Sequence, residues 1–264
     1  MGMAMELLSG RVTAPDTTLT AWTLAAGSSL TIRNARPGSI IWLLNMWADN
    51  QAAGVLRVRS PFLHDNVQGI RQRVQAGVVE PLLPWGARQR LIPQDTLTAE
   101  QSGSATAGDI ESGALLVWYD DLPGIDGRFI TVQDLMQRTE QVLTVENTLA
   151  LGTTGGFSGE EAINAEFDEF KNNRDYAIMG FTVSAEATAI RWRGSDTGNL
   201  GVGGPAEPGM QHVTIDWFVR LSEVYGRPMV PVFNASNKDG LLIDAVQDEN
   251  GTDVTVVTQL ALLT

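Results

Sequence analysis

Apolar residues along this chain recur at a spacing of two, or fill both parities of a short run, and that pattern predicts strands. The run Ile40–Ala48 carries Ile40, Trp42, Leu44 and Met46 on one parity and Ile41, Leu43 and Trp47 on the other. A strand with one wet face would alternate, so this one is expected to be covered on both faces. Gly113–Tyr119 has the same two-sided character. Further strands are predicted over Gly54–Ser60 and Ile70–Val74, and residues 9–33 read as two or three more, the last at Ser29–Arg33. In the second half the predicted strands are Gln141–Leu149, Tyr176–Ser184, Thr188–Arg193 and Thr252–Leu262. Gln211–Glu223 alternates cleanly, with Val213, Ile215, Trp217, Val219 and Leu221 on one side and His212, Thr214, Asp216, Phe218 and Arg220 on the other, and reads as another strand. The acidic stretch Glu160–Asp175 fits helix or strand.

One stretch has a different period. Pro123, Gly124 and Gly127 break the chain, Thr131 with Asp134 three residues on forms a capping-box start, and Val132, Leu135, Met136, Thr139 and Val142 follow at helical spacing. A helix in this connector, residues 121–142, divides the chain into segments 1–120 and 143–264. Landmarks recur in the same order on either side. Arg36-Pro37 with Ile40 matches Arg174-Asp175 with Ile178, and Leu56-Arg57-Val58-Arg59 matches Ile190-Arg191-Trp192-Arg193. Pro81-Leu82-Leu83-Pro84 matches Pro228-Met229-Val230-Pro231, and Ala99-Glu100-Gln101 matches Ala245-Val246-Gln247. One unit written twice is the expectation, with insertions falling in loops.

The 264 residues, 43% of them hydrophobic, suffice for two units that each bury a core. The absence of cysteine excludes disulfides and thiolate chemistry. Net charge is −13, and it is uneven: residues 1–120 set nine arginines against ten acids, while residues 121–264 set nine basic residues against 21 acids. A basic track wide enough to follow a phosphate backbone is not expected, so direct nucleic-acid binding is disfavoured. No apolar run is long enough to span a bilayer, and Met1–Leu8 lacks the features of a signal peptide.

Candidate chemistry is sparse. His64 and His212 are the only histidines, and they read as a loop residue and a strand-edge residue, so metal sites with nitrogen or sulfur ligands are not expected. Gly156-Phe157-Ser158-Gly159-Glu160 lacks the final glycine of a nucleophile elbow and reads as a turn. Neither Gly152–Gly159 nor the Gly/Pro-rich loop Gly194–Gly209 contains the Lys-Ser/Thr of a phosphate-binding loop. Glu160, Glu161, Glu166, Asp168 and Glu169, and separately Asp248–Asp253, offer oxygen ligands for a hard cation, but solvated acidic turns account for both. No pair of acids is singled out for glycoside hydrolysis. No catalytic, cofactor-binding or metal-binding residue is expected, and the chain is not read as an enzyme.

Two similar all-β units, a helix-bearing connector at Asp120–Val142, and final strands at Gly113–Tyr119 and Thr252–Leu262 resemble the double jelly-roll major capsid proteins of tailless icosahedral viruses. The resemblance implies two tandem eight-stranded jelly-roll barrels or sandwiches joined by a short helix-containing connector. It implies a coat protein of the virion, made in the host cytoplasm, that self-associates into homotrimers of pseudo-hexameric outline and then into a capsid lattice. The short N-terminal segment Met1–Leu8 would lie on the inner side, available to minor capsid proteins or an internal membrane. Trp47, Trp118 and Phe218, apolar residues on strand faces expected to point outward, are the candidate interface residues. A tandem β-sandwich module binding carbohydrate, lectin-like, is the alternative, and a hydrolase with paired carboxylates is a third reading.

Overall fold

A computed structural model describes residues 2–63, 66–81, 89–152, 155–247 and 253–264. The first nine strands are β1 (Ala4–Thr13), β2 (Thr20–Ala21), β3 (Thr23–Leu24), β4 (Ile41–Asp49), β5 (Gly54–Arg59), β6 (Ile70–Val74), β7 (Gln89–Leu91), β8 (Thr98–Ser102) and β9 (Ile110–Tyr119). A connector of β10 (Phe129–Ile130) and helix α1 (Val132–Arg138) follows. The second half holds β11 (Thr139–Leu149), β12 (Phe157–Ala162), β13 (Asp175–Val183), β14 (Ala187–Arg193), β15 (Val202–Ala206), helices α2 (Gln211–Thr214) and α3 (Trp217–Tyr225), β16 (Val230–Asn234), β17 (Leu242–Val246) and β18 (Val254–Leu263).

The strands form four antiparallel sheets whose order repeats. The first half pairs β1-β9-β4-β7 in one sheet and β2-β8-β5-β6 in the other, with β3 added beside β1. The second half pairs β11-β18-β13-β16 and β12-β17-β14-β15, with β10 added beside β16. Counting β2 and β3 as two pieces of one strand, the described residues of each half give eight strands in the order 1-8-3-6 and 2-7-4-5, the order of a jelly roll. The sheets face each other as open sandwiches; neither half closes into a barrel. Registers repeat as well. The third strand has an irregularity between Leu43 and Asn45 in the first sandwich and between Ile178 and Gly180 in the second. The fourth strand lays Arg57 opposite Glu100 in the first and Arg191 opposite Asp244 in the second.

Several expectations are corrected. Residues 4–8, expected in a short N-terminal segment on the inner side, belong to β1, which pairs with β9 from Ala4 to Thr13 and is buried there. Ser29–Arg33 is not a strand; Thr31 makes only an isolated bridge to Thr96. The connector helix starts as expected, with Thr131 and Asp134 capping each other, but it ends at Arg138 and Val142 lies in β11. The helix is held by one buried residue, Leu135, so its apolar stripe is too short to carry it further. Gln211–Glu223 is helical, because the set that packs is Trp217, Phe218, Leu221, Ser222 and Tyr225, a helical period that the alternation of odd positions concealed. Gly226 in the left-handed conformation ends α3. The Gly194–Gly209 loop contains β15, and Phe157–Gly159 lies in β12, where Gly159 (φ 70°) sits in a register irregularity. Among the repeat landmarks, Arg57/Arg59 match Arg191/Arg193 in register. The last pair is offset by two: Glu100, matched in the sequence to Val246, corresponds in register to Asp244.

Candidate functional site

The outer face of the β1-β9-β4-β7 sheet is the most apolar surface the fold creates, and the chain covers it itself. Because side chains alternate across a strand, Met5 and Leu7 of β1, Trp42, Leu44 and Trp47 of β4, and Leu116 and Trp118 of β9 share one buried cluster with Ile178, Trp192, Trp217 and Tyr225 of the second sandwich. Residues of opposite parity, Leu8, Ile41, Leu43, Leu115 and Val117, fill the first sandwich's own separate interior. The two-sided strands foreseen at Ile40–Ala48 and Gly113–Tyr119 are therefore covered on one side by their own sandwich and on the other by the next.

Aromatic rings and their polar atoms set the geometry of this contact. Trp42 and Trp118 are register partners with ring centroids 5.4 Å apart, and Trp42 also meets Tyr225 at 5.9 Å. The Tyr225 hydroxyl donates to the Leu44 carbonyl at 2.7 Å, a carbonyl freed by the irregularity in β4. Trp47 Nε1 donates to the Thr188 carbonyl at 2.6 Å, and Trp217 stands edge-on to Trp47 at 6.2 Å. Leu7 N donates to Gly201 O at 2.8 Å, so backbone joins the sandwiches too. A buried Trp side chain with its N–H satisfied is among the strongest anchors a protein contact has.

The expected interface residues lie here or deeper, not on an outward surface. Trp47 is fully buried and Trp118 is 1% exposed, both at the contact between sandwiches, because the chain's own second half occupies the face they project from. Phe218 is on α3 and packs against Trp192 at 6.0 Å, inside the second sandwich. None of the three is free to meet another chain.

Charged groups on the β5/β8 and β14/β17 pairs repeat a second motif. Arg57 and Arg59 both bind Glu100, at 2.6 and 2.9 Å, and Arg191 binds Asp244 at 2.5 Å with Arg193 Nε 3.6 Å away. Burial alone would raise Glu100, but hydrogen bonds from Arg59 and Arg57 outweigh it and hold this carboxyl below the ordinary carboxylate range. Sequence reasoning found the arginines by repetition and missed that each pair shares one acid.

A third polar group lies at one end of the first sandwich. Glu111, fully buried, accepts from Ser104 N at 2.6 Å, and among the described residues its other oxygen and both oxygens of buried Asp16 find no donor but the proton the two carboxyls share. Burial first, then the proximity of Asp16, pushes the Glu111 carboxyl up to about 8, so Glu111 carries a proton at neutral pH.

The acids named from sequence do not converge. Glu160 pairs with Arg193, Glu161 accepts from Asn147, and Glu166, Asp168 and Glu169 are exposed. Among the described residues no group of three or more His, Asp or Glu side chains is placed to hold a metal ion. His212 is exposed on α2 and not on a strand edge; His64 and most of Asp248–Asp253 lie outside the described residues. No helix among the described residues is long and apolar enough to cross a membrane.

No protein-family model matches the chain, and no curated protein matches it. Among solved structures it is similar to the PBSX exported protein XepA, at 11% identity over 98% of this chain and 86% of the other, TM-score 0.27. It is also similar to the major capsid protein P2 of bacteriophage PM2, at 9% identity over 98% of each chain, TM-score 0.22. A third is a cupin 2 conserved barrel domain protein from Leptotrichia buccalis, at 6% identity over 97% of this chain and 89% of the other, TM-score 0.19. At these scores the fold rests on the strand order described above.

Proposed function

We propose that the chain is a structural coat protein of a tailless icosahedral virus that assembles as trimers of pseudo-hexameric outline. The observation that carries this reading is the contact between the sandwiches. It joins the outer face of one 1-8-3-6 sheet to a different part of its neighbour: β14, β15 and α3. A contact between unlike patches of like units is head-to-tail, and repeated head-to-tail contacts give rings or open filaments. The second sandwich has its own outer 1-8-3-6 face, partly covered by α1 and α3, with Met136 (77% exposed) on α1 and Val142 (56%) on β11 left in solvent. Closure after three chains places six sandwiches in a ring, the arrangement implied by the resemblance to double jelly-roll capsid proteins. The chain then works by shape and contact, and its buried charges serve the fold.

Light scattering coupled to size exclusion tests the trimer. The expected mass is three times 28.5 kDa. A folded monomer at high concentration would remove the coat-protein reading, and sugar binding by that monomer would favour a carbohydrate-binding module.

A further inference from the structure

The contact inside the chain has a projecting side and a receiving side, and the repeat sets a second example of each on the surface. The projecting side is the start of β15 with the loop before it, and the receiving side is β1. Gly201 O accepts from Leu7 N at 2.8 Å, a Cβ on Gly203 would stand 2.7 Å from Leu7 Cδ2, and Leu200 is buried in the cluster of the first sandwich.

Register identifies the counterparts. Arg57 pairs with Arg71 where Arg191 pairs with Gly203, so Arg71 takes the place of Gly203 and Gly69 that of Gly201. On the receiving side Leu7 follows the Met5–Trp118 pair by two residues, as Thr144 follows Val142–Ala261, so Thr144 takes the place of Leu7. Both β6 and β11 are edge strands. Six large apolar side chains are exposed among the described residues, and four of them belong to these two surfaces: Phe62 (65%) and Val67 (71%) in the loop before β6, Met136 and Val142 beside β11. The charges are complementary as well. Arg71 and Arg73 are exposed on β6, and exposed Glu146 lies two residues past Thr144 on the same face of β11. That is about 7 Å along the strand, within the span of an arginine side chain set against Thr144.

We propose that the start of β6 and the loop before it dock on β11 of a second copy of this chain, with Gly69 O accepting from Thr144 N, Val67 against Val142 and Arg71 paired with Glu146. This contact rests on the ring proposed above and names the patches that close it. It differs from the contact inside the chain in kind. Gly203 packs on Leu7 without charge, whereas an exposed Arg–Glu pair at the rim is screened by salt, so each chain folds on its own core and then associates reversibly.

The chain has no cysteine, so introduced ones report this contact without background. Full-length Arg71→Cys and Thr144→Cys chains are mixed at high concentration, oxidised and run on a non-reducing gel. The counterpart spacing of Gly203 and Leu7 puts the two Cβ atoms within disulfide reach, so the mixture is expected to give a band of two linked chains that neither variant gives alone. Separately, Arg71→Glu is expected to weaken self-association about tenfold in sedimentation, and adding Glu146→Arg to the same chain is expected to restore it, with circular dichroism unchanged. Trimers that do not cross-link, or a loss that Glu146→Arg fails to restore, overturn this contact and leave the ring standing. A folded monomer of the unaltered chain overturns both.

Discussion

The two 1-8-3-6 sheets have the same strand order and the same irregularity in their third strand, yet their outer faces differ in kind. In the first sheet the second register pair before the irregularity is Trp42 with Trp118; in the second it is Ala177 with Ala261. Met5, buried opposite Trp118, corresponds to Val142, exposed opposite Ala261. The large residues sit where the chain supplies its own cover in the form of a second sandwich. The small ones sit where two short helices cover part of the face, through Leu135 of α1 and Val219 of α3. Side-chain volume at equivalent register positions thus decides which face is closed permanently and which stays available.

The comparison is broken hardest by emptying the closed face. Trp47→Ala and Trp118→Ala are each expected to cost about 3–5 kcal/mol of unfolding free energy, measured by denaturant titration, and Trp47→Ala also leaves the Thr188 carbonyl without its donor. A loss near 1 kcal/mol would mean that the sandwiches do not share a core.

Next in size are the shared carboxylates. Glu100→Gln strands Arg57 and Arg59 and Asp244→Asn strands Arg191, while Arg193 keeps Glu160; each change is expected to cost about 3 kcal/mol, since Arg57 and Arg191 are largely buried. Values matching within about 1 kcal/mol would sharpen the equivalence of the two motifs; a wide gap would break it.

A pH difference separates the sandwich ends. Glu111 pairs with Val12 where the second sandwich pairs Val254 with Leu149, so a buried acid replaces an apolar residue. Its folded carboxyl titrates near 8, above the ordinary value of 4.5, so between those values the folded chain binds the extra proton. Stability from this group is therefore greatest below about 4.5, falls as pH rises to about 8 and levels off beyond. Glu111→Gln is expected to flatten that fall in denaturation midpoints at pH 5, 7 and 9, and an unchanged slope would assign it to other groups.

The smallest effect on folding comes from the open face. Val142→Lys is expected to alter monomer stability by less than about 0.5 kcal/mol while weakening self-association, whereas Met5→Lys, at the matching buried position, unfolds the chain. Thermal melts of both variants alongside sedimentation read out the two effects separately.

Much of this architecture is legible in the sequence, for reasons that also explain the misreadings. Strands covered on both sides announce themselves by filling both parities, as Ile41–Asp49 does, and the Arg-x-Arg of β5 and β14 marks the repeat because outward arginines alternate with inward Leu56, Val58, Ile190 and Trp192. The identity of the cover is not legible: apolar residues on an outer face look the same whether the same chain or another lies against them, so Trp47 and Trp118 were expected between chains. Alternation at Val213–Leu221 masks two short helices, because Val213 falls on α2, Ile215 between the helices and Trp217, Val219 and Leu221 on α3; Gly226 behind Tyr225 is the stop signal.

Electron microscopy of the negatively stained protein tests the central claim most directly. The account predicts ring-shaped particles with six lobes and a quasi-hexagonal outline, two lobes from each chain. A field of separate two-lobed particles, folded and unassociated at concentrations where coats form, would contradict it.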